Sequence, residues 1–93
     1  MTEASIQKKV IDYLTAKGCF VVKVINANKD GVPDLLVCVP SGLFCAIEMK
    51  KPGKTPDELQ EFQIEQIRKA GGIAFFARSV EEVRKGLTNY LPP

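Results

Sequence analysis

"DGVPDLLVCVPSGLFCAIEMKKPGK", residues 30–54, carries charged residues at the ends of two apolar runs. Asp34 opens the first run, and Glu48 and Lys50 close the second. The "PSG" between them suits a three-residue hairpin turn, because proline fits the first position of a type I turn and glycine fits the left-handed position after it. This turn predicts that Asp34 lies opposite Glu48, on one face with Lys50. A two-residue turn would send Asp34 to the other face.

The segments around this hairpin predict the remaining elements. Hydrophobic spacing predicts four strands, over 19–25, 34–39, 43–50 and 73–77. It also predicts a first helix over 3–18, which a glycine ends. A second helix runs from a Thr55–Glu58 capping box to about Ala70, and a last helix begins at a Ser79 capping box and ends before Pro92. The helix between the last two strands predicts that they are parallel. Both faces of the hairpin are apolar, which requires helices on both sides. The sequence therefore predicts one α/β domain over residues 1–93, of order α-β-β-β-α-β-α, around a mixed sheet.

Composition limits the chemistry that this chain can perform. It has 93 residues, 13 Lys and Arg against 11 Asp and Glu, and no histidine. The lack of histidine excludes a Ser-His-Asp triad and a histidine-ligated zinc. No apolar run is long enough to span a membrane, and the N-terminus does not resemble a secretory signal, so we expect a cytoplasmic protein with no membrane partner. The three cysteines have no zinc-site spacing and are predicted to be small buried side chains: Cys19, Cys38 and Cys45.

Two carboxylates that face each other across a hairpin support two interpretations. Their repulsion raises at least one pKa unless a cation lies between them. A divalent metal could supply that charge, and oxygen ligands without histidine or cysteine favour Mg²⁺ or Mn²⁺. Alternatively, Asp34, Glu48 and Lys50 form a surface salt-bridge cluster at the strand end. The pair alone does not decide between the two.

Other polar residues could contribute to the same site. Glu3 lies at the edge of the apolar face of the first helix, where it could equally be an acid favoured by the helix dipole. Gln60 and Gln63 fall within the apolar arc of the second helix, so their amides either pair with backbone or face the site. Four lysines flank the hairpin and could contact phosphates or simply be solvated: Lys23, Lys29, Lys51 and Lys54.

These motifs resemble a known family. Pro33-Asp34 followed by Glu48-Met49-Lys50 resembles the PD-(D/E)xK nuclease signature. More narrowly, the chain is similar to stand-alone VRR-NUC domains of phages and bacteria, through Glu3 with Gln7, "DGVPDLLV", "AIEMKKPGKT" and "LQEFQIEQIRKAGG". The resemblance covers Glu3 to about Leu87. It implies a restriction-endonuclease-like αβββαβ core with a mixed central sheet and a C-terminal helix.

The resemblance also implies an activity and a set of roles. It implies a metal-dependent endonuclease that hydrolyses phosphodiester bonds, as a homodimer, in branched DNA such as four-way (Holliday) junctions, inside a bacterial or phage-infected cell. Asp34, Glu48 and the backbone carbonyl of Met49 would bind Mg²⁺ or Mn²⁺, and Glu3 would reach the metal directly or through water. Lys50 would orient or help deprotonate the attacking water. Gln60 would position Lys50 or that water, with Gln63 as the second choice.

Two other functions remain compatible with the sequence. A non-catalytic nucleic-acid-binding module could keep the same fold. Its affinity for DNA would then not depend on metal and would be retained when Asp34 is replaced. A structural or regulatory partner protein would bind neither metal nor DNA, and its acids would form salt bridges.

Overall fold

The computed structural model describes residues 2–93, and its elements follow the predicted order. They are α1 (Glu3–Ala16), β1 (Phe20–Lys23), β2 (Leu35–Cys38), β3 (Phe44–Met49), α2 (Glu58–Lys69), β4 (Ile73–Ala77) and α3 (Val80–Gly86). The strands form one mixed sheet in the order β1-β2-β3-β4. The predicted α/β class is confirmed, and most elements are shorter by one to several residues than the sequence patterns indicate.

The hairpin of β2 and β3 has the register that the three-residue turn predicts. Leu35 pairs with Ile47 and Cys38 with Phe44, so continuing the antiparallel ladder by one residue puts Asp34 opposite Glu48. The turn is closed by a hydrogen bond from the Gly42 N–H to the Val39 carbonyl (2.8 Å). The predicted parallel pairing of β3 with β4 is also confirmed.

Helices cover both faces of the sheet, as the apolar hairpin requires. Side chains alternate along each strand. One face packs on α1 and α3 and forms the core, with Val10, Leu35, Ile47, Met49 and Leu87 fully buried. The other face carries Ala46 and Glu48 and packs on α2, which contacts β3 and β4. The site residue Glu48 therefore lies under α2.

The half of this second face formed by β1 and β2 is exposed. Phe20 keeps 71% of its surface accessible, and Val22 and Phe44 are exposed beside it. Cys38 is exposed on the same face, whereas Cys19 and Cys45 are buried. The prediction of three buried thiols is therefore wrong for Cys38, because α2 lies over β3 and β4.

The start of α2 also differs from the prediction. Asp57, not Thr55, is the N-cap: its side chain accepts a hydrogen bond from the Gln60 N–H, and the Gln60 side chain accepts one from the Asp57 N–H. Pro56 precedes the helix instead of occupying its first turn. Asp57 caps the helix in preference to Thr55 because this reciprocal pair satisfies two backbone donors at once. Among residues 2–93, no helix combines the length and apolar character that crossing a membrane requires.

Candidate active site

Asp34 is held rigidly at the open end of the hairpin. Its backbone carbonyl accepts a hydrogen bond from the Val24 N–H (2.8 Å). Its side-chain Oδ2 accepts one from the Met49 N–H (2.9 Å). Pro33, fully buried, fixes the approach of the chain. The bond to Val24 thus holds the Asp34 backbone, and the bond to Met49 orients its carboxylate toward the end of β3.

Glu48 is the buried acid of the site, with 3% of its surface accessible. Its Oε2 accepts a hydrogen bond from Gln60 Nε2 at 3.2 Å. Lys50 Nζ lies 3.6 Å from the same oxygen. Two elements therefore orient this carboxyl: α2 through an amide, and the residue after β3 through an ammonium group.

The electrostatics of Glu48 reflect burial and a neighbouring charge. Its pKa is raised to about 8: desolvation by burial is the largest cause, the negative charge of Asp34 and a hydrogen bond to it also raise the pKa, and Lys50 lowers it. Burial disfavours a charged carboxyl, and like charges disfavour it again. The single ammonium group of Lys50 does not offset these effects, so the pair is short of positive charge.

Gln60 links the helix cap to the site. Its Oε1 accepts the Asp57 N–H (3.0 Å) within the capping box. This use of the oxygen directs Nε2 toward Glu48. The family resemblance implies that Gln60 positions Lys50 or the attacking water, whereas in the structure Gln60 donates to Glu48.

Gln63 and Gly31 hold the loop that leads to Asp34 against α2. Gln63 Nε2 donates to the Asp30 carbonyl at 3.0 Å, which is the backbone alternative left open for this residue. Gly31 has φ +80°, and a Cβ there would lie 2.9 Å from the backbone carbonyl of Leu59. Only glycine allows this approach and this conformation without strain. Gln63 thus supports the loop and does not contact Glu48.

Glu3 lies at the same end of the sheet but apart from the acid pair. It is the half-buried first residue of α1. Since α1 runs antiparallel to β1, and β1 runs in the direction of β3, the start of α1 lies toward the end of β3. Among residues 2–93, no three Asp, Glu, Cys or His side chains come together in a group able to hold a metal ion, so Glu3 does not join Asp34 and Glu48 in such a group.

Gln7, one turn after Glu3, was not assigned a role from the sequence. Its side chain is 7% exposed, and its Oε1 has no hydrogen-bond partner among the described residues. Two features of the sequence single it out: it is an amide on the apolar face of an amphipathic helix, and it accompanies Glu3 in the family resemblance.

The flanking lysines are exposed and come from three different segments of the chain. Lys51 and Lys54 lie in the loop after β3, next to Glu48 and Lys50, while Lys23 ends β1 and Lys29 lies in the loop before Asp34. Sequence reasoning missed Arg78, whose Nη2 donates to the Lys54 carbonyl at 2.8 Å. This contact joins residues 24 positions apart. No local pattern announces such a contact.

Known proteins share this arrangement of elements. The family model of the VRR-NUC domain matches residues 8–81. Protein p44 of Acyrthosiphon pisum secondary endosymbiont phage 1, whose name proposes a nuclease, is 34% identical over 58 residues, which are 62% of the chain and 62% of the phage protein. A solved structure named VRR_NUC domain superposes with a TM-score of 0.81 and 32% identity, covering 95% of this chain and 96% of the other. A second, named VRR_NUC domain protein, has a TM-score of 0.78 at 21% identity, covering 97% of this chain and 88% of the other, and supports the fold alone.

Proposed function

Since the chain belongs to the VRR-NUC domain family, we propose that it is a divalent-metal-dependent endonuclease that hydrolyses phosphodiester bonds in DNA. The observation that carries this proposal is the meeting of Asp34 and Glu48 across the hairpin. Their only close counter-charge among the described residues is Lys50. A salt-bridge cluster would not bury Glu48 against a second acid, because burying an underpaired charge costs free energy.

The donor atoms at the hairpin end fit a hard divalent cation. Asp34 and Glu48 offer carboxylate oxygens, the Met49 carbonyl is adjacent, and oxygen donors select Mg²⁺ or Mn²⁺. The raised pKa of Glu48 supports a cation at this position, because a positive charge there would offset the burial of Glu48 and its repulsion by Asp34. When bound, such a cation lowers the pKa of water and offsets charge on a phosphoryl oxygen. Glu3, which lies apart from the acid pair, would supply a further oxygen through a bridging water.

The remaining side chains orient the acids and the substrate. Gln60 fixes the rotamer of Glu48 by donating to Oε2. Lys50 shares that oxygen and has donors left for the attacking water and for the phosphate, whose growing negative charge it offsets. Lys51, Lys54, Lys23 and Lys29 contact the DNA backbone.

We extend the proposal to branched DNA and to a homodimer. A single domain of this size contacts only a short duplex, and two sites related by a twofold axis can cut two strands at a junction. The exposed apolar half-face around Phe20 and Phe44 supports self-association, because homodimer interfaces are more apolar than the surrounding surface. The phage relative's name supports the nuclease assignment.

The experiment that tests this function compares DNA structures under metal control. Labelled four-way junction, flap, single-stranded and linear duplex DNA are incubated with Mg²⁺, Mn²⁺ or EDTA, and the molar mass is measured by light scattering. We expect metal-dependent cutting of branched DNA by a dimer. Binding without cutting in either metal would favour the non-catalytic module, and no DNA binding would favour a protein-partner role.

Thermal stability should depend on pH and metal together. Because the pKa of Glu48 is raised to about 8 in the folded chain, its contribution to stability is fully present below the ordinary value of 4.5 and is lost as the pH rises through 8. We expect the metal-free Tm to fall as the pH rises from about 4.5 to about 8, and to level off above 8 because the acid is then ionised in both states. At pH 8.5, Mg²⁺ at ten times its Kd should restore about 1.4 kcal/mol. The same Mg²⁺ concentration should restore less at pH 6, because binding requires the deprotonated acid. Equal Tm values with Mg²⁺ and with EDTA at pH 8.5 would contradict the site.

Gln60→Glu tests whether cleavage depends on the hydrogen bond that the Gln60 amide donates to Glu48. Glutamate retains the oxygen that accepts the Asp57 N–H, so the capping box persists. It replaces the donor to Glu48 Oε2 by a negatively charged oxygen. We expect cleavage to fall about 10- to 100-fold, as is typical of outer partners of metal ligands, with little change in the Tm at pH 5.

Gln66→Glu is the matched control for this variant. It makes the same chemical change on an exposed position of α2, and it should cleave as the wild type does. Equal cleavage by Gln60→Glu and the control would show that donation from Gln60 does not matter for Glu48.

A further inference from the structure

The loop after β3 presents two lysines beside the site. Lys51 and Lys54 are exposed, and the Lys54 N–H donates to the Lys51 carbonyl at 3.0 Å, which closes a tight turn. Gly53 within it has φ +84°. The turn keeps the two lysines close together in space, and it follows Lys50 directly.

Both ends of this loop are attached to the end of β4. The Lys50 N–H donates to the Ala77 carbonyl at 2.9 Å. At the other end, Arg78 Nη2 donates to the Lys54 carbonyl at 2.8 Å. Ala77, the last residue of β4, and Arg78, which follows it, therefore hold a loop that otherwise has an exposed backbone.

Arg78 is itself fixed from two directions. Its guanidinium lies 4.9 Å from the centroid of the Phe76 ring, a cation–π contact. The backbone N–H of Arg78 donates to Glu82 Oε1 at 3.0 Å. Phe76 pairs with Glu48 across the parallel ladder, so the strand that carries this stack is the direct neighbour of the strand that carries the buried acid. A lysine at position 78 could not combine the flat stack with a donor to the carbonyl.

We propose that Arg78 is a positioning residue that holds the loop 51–54 so that Lys51 and Lys54 meet phosphates flanking the one to be cut. This role rests on the proposed nuclease function. A loop ordered before binding loses less entropy when its lysines contact the backbone, and affinity rises accordingly. Arg78 thus acts through the two lysines and does not need to touch DNA.

Binding measurements with a double-mutant design test this role. Fluorescence anisotropy with labelled junction DNA in EDTA compares wild type, Arg78→Ala, Arg78→Lys, Lys51→Ala/Lys54→Ala and the triple variant. We expect Arg78→Ala to weaken binding about tenfold and to lower the slope of log K against log salt by about 1 to 2. Arg78→Lys should behave almost as Arg78→Ala does. The triple variant should bind no more weakly than the double lysine variant.

Two binding results would overturn the role. The first is a wild-type DNA affinity in Arg78→Ala. The second is a loss of affinity in the triple variant equal to the product of the losses in Arg78→Ala and in the double lysine variant, because independent effects would mean that Arg78 contacts a phosphate directly. Thermal unfolding of each variant identifies any global loss of folding.

Limited trypsin digestion tests the anchor without DNA. The Lys54 carbonyl that accepts from Arg78 belongs to the Lys54–Thr55 bond, which trypsin can cut. Arg78→Ala should speed cleavage there at least about fivefold, because local opening exposes the bond. An unchanged rate would refute the anchor even if DNA binding fell. If wild type binds no DNA, the proposed function fails and this role with it, while digestion still shows whether the loop is anchored.

Discussion

Asp34→Asn should reduce cleavage at least about a thousandfold, which corresponds to about 4 kcal/mol of lost transition-state stabilisation. The substitution removes one of the two facing carboxylate charges that would hold the cation. It keeps an oxygen able to accept the Met49 N–H and leaves the backbone bond to Val24 unchanged. The fold should therefore survive. Without metal at pH 8, stability should even rise, because a charge that raises the pKa of Glu48 is gone. Single-turnover cleavage and thermal unfolding in EDTA measure the two effects.

Asp30→Asn is the matched control for this variant. Asp30 is an exposed acid of the same loop, and its backbone carbonyl, not its carboxylate, binds Gln63. We expect wild-type cleavage and a wild-type response of the Tm to Mg²⁺. If Asp34→Asn cleaved within tenfold of wild type, the acid pair would not be the centre of the reaction.

The acid pair was predictable because its register follows from local turn chemistry. Pro40 and Gly42 suit one turn, and that turn alone determines which residue faces Glu48. The presence of helices on both faces of the sheet could also be expected, since apolar residues occupy both faces of β3. Here the local preferences and the tertiary structure agree.

The supports of the site were less predictable. The contact of Gln60 with Glu48 depends on a helix that begins at Asp57, and the sequence offered a competing capping box at Thr55. Strand and helix ends depend on where tertiary packing stops, and local patterns locate them poorly. No local sequence pattern predicts the role of Arg78, because its contact with Lys54 forms only when the end of β4 and the loop after β3 come together.

One helix supports both halves of the site. From α2, Gln60 reaches Glu48 on β3, while Gln63 reaches the loop before Asp34. Leu59 packs against Gly31 in the same loop. Moving this loop away from α2 should therefore displace Asp34 relative to Glu48, even though neither acid is altered.

Gly31→Ala should have the largest effect on stability. Its Cβ would lie 2.8 Å from Leu59 Cγ and 2.9 Å from the Leu59 carbonyl carbon and oxygen, and backbone at that distance cannot yield as a flexible side chain would. The φ of +80° adds the cost of a left-handed alanine. We expect unfolding to cost about 2 to 4 kcal/mol less than in wild type, with a Tm lower by at least about 10 °C. Cleavage at 10 °C, where the variant remains folded, should also fall. Calorimetry and single-turnover assays measure both.

Gly71→Ala is the control that separates the cost of placing alanine at a positive φ from the cost of the close contact with Leu59. Gly71 has φ +95°, and a Cβ there would meet nothing within 4 Å. The control should lose only the cost of a left-handed alanine, about 1 to 2 kcal/mol, and should cleave normally. Equal losses in both variants would mean that the loop relaxes away from Leu59 without penalty. A large loss of stability with normal cleavage in Gly31→Ala would instead show that Asp34 is positioned by its bonds to Val24 and Met49 alone, so that α2 serves only Glu48.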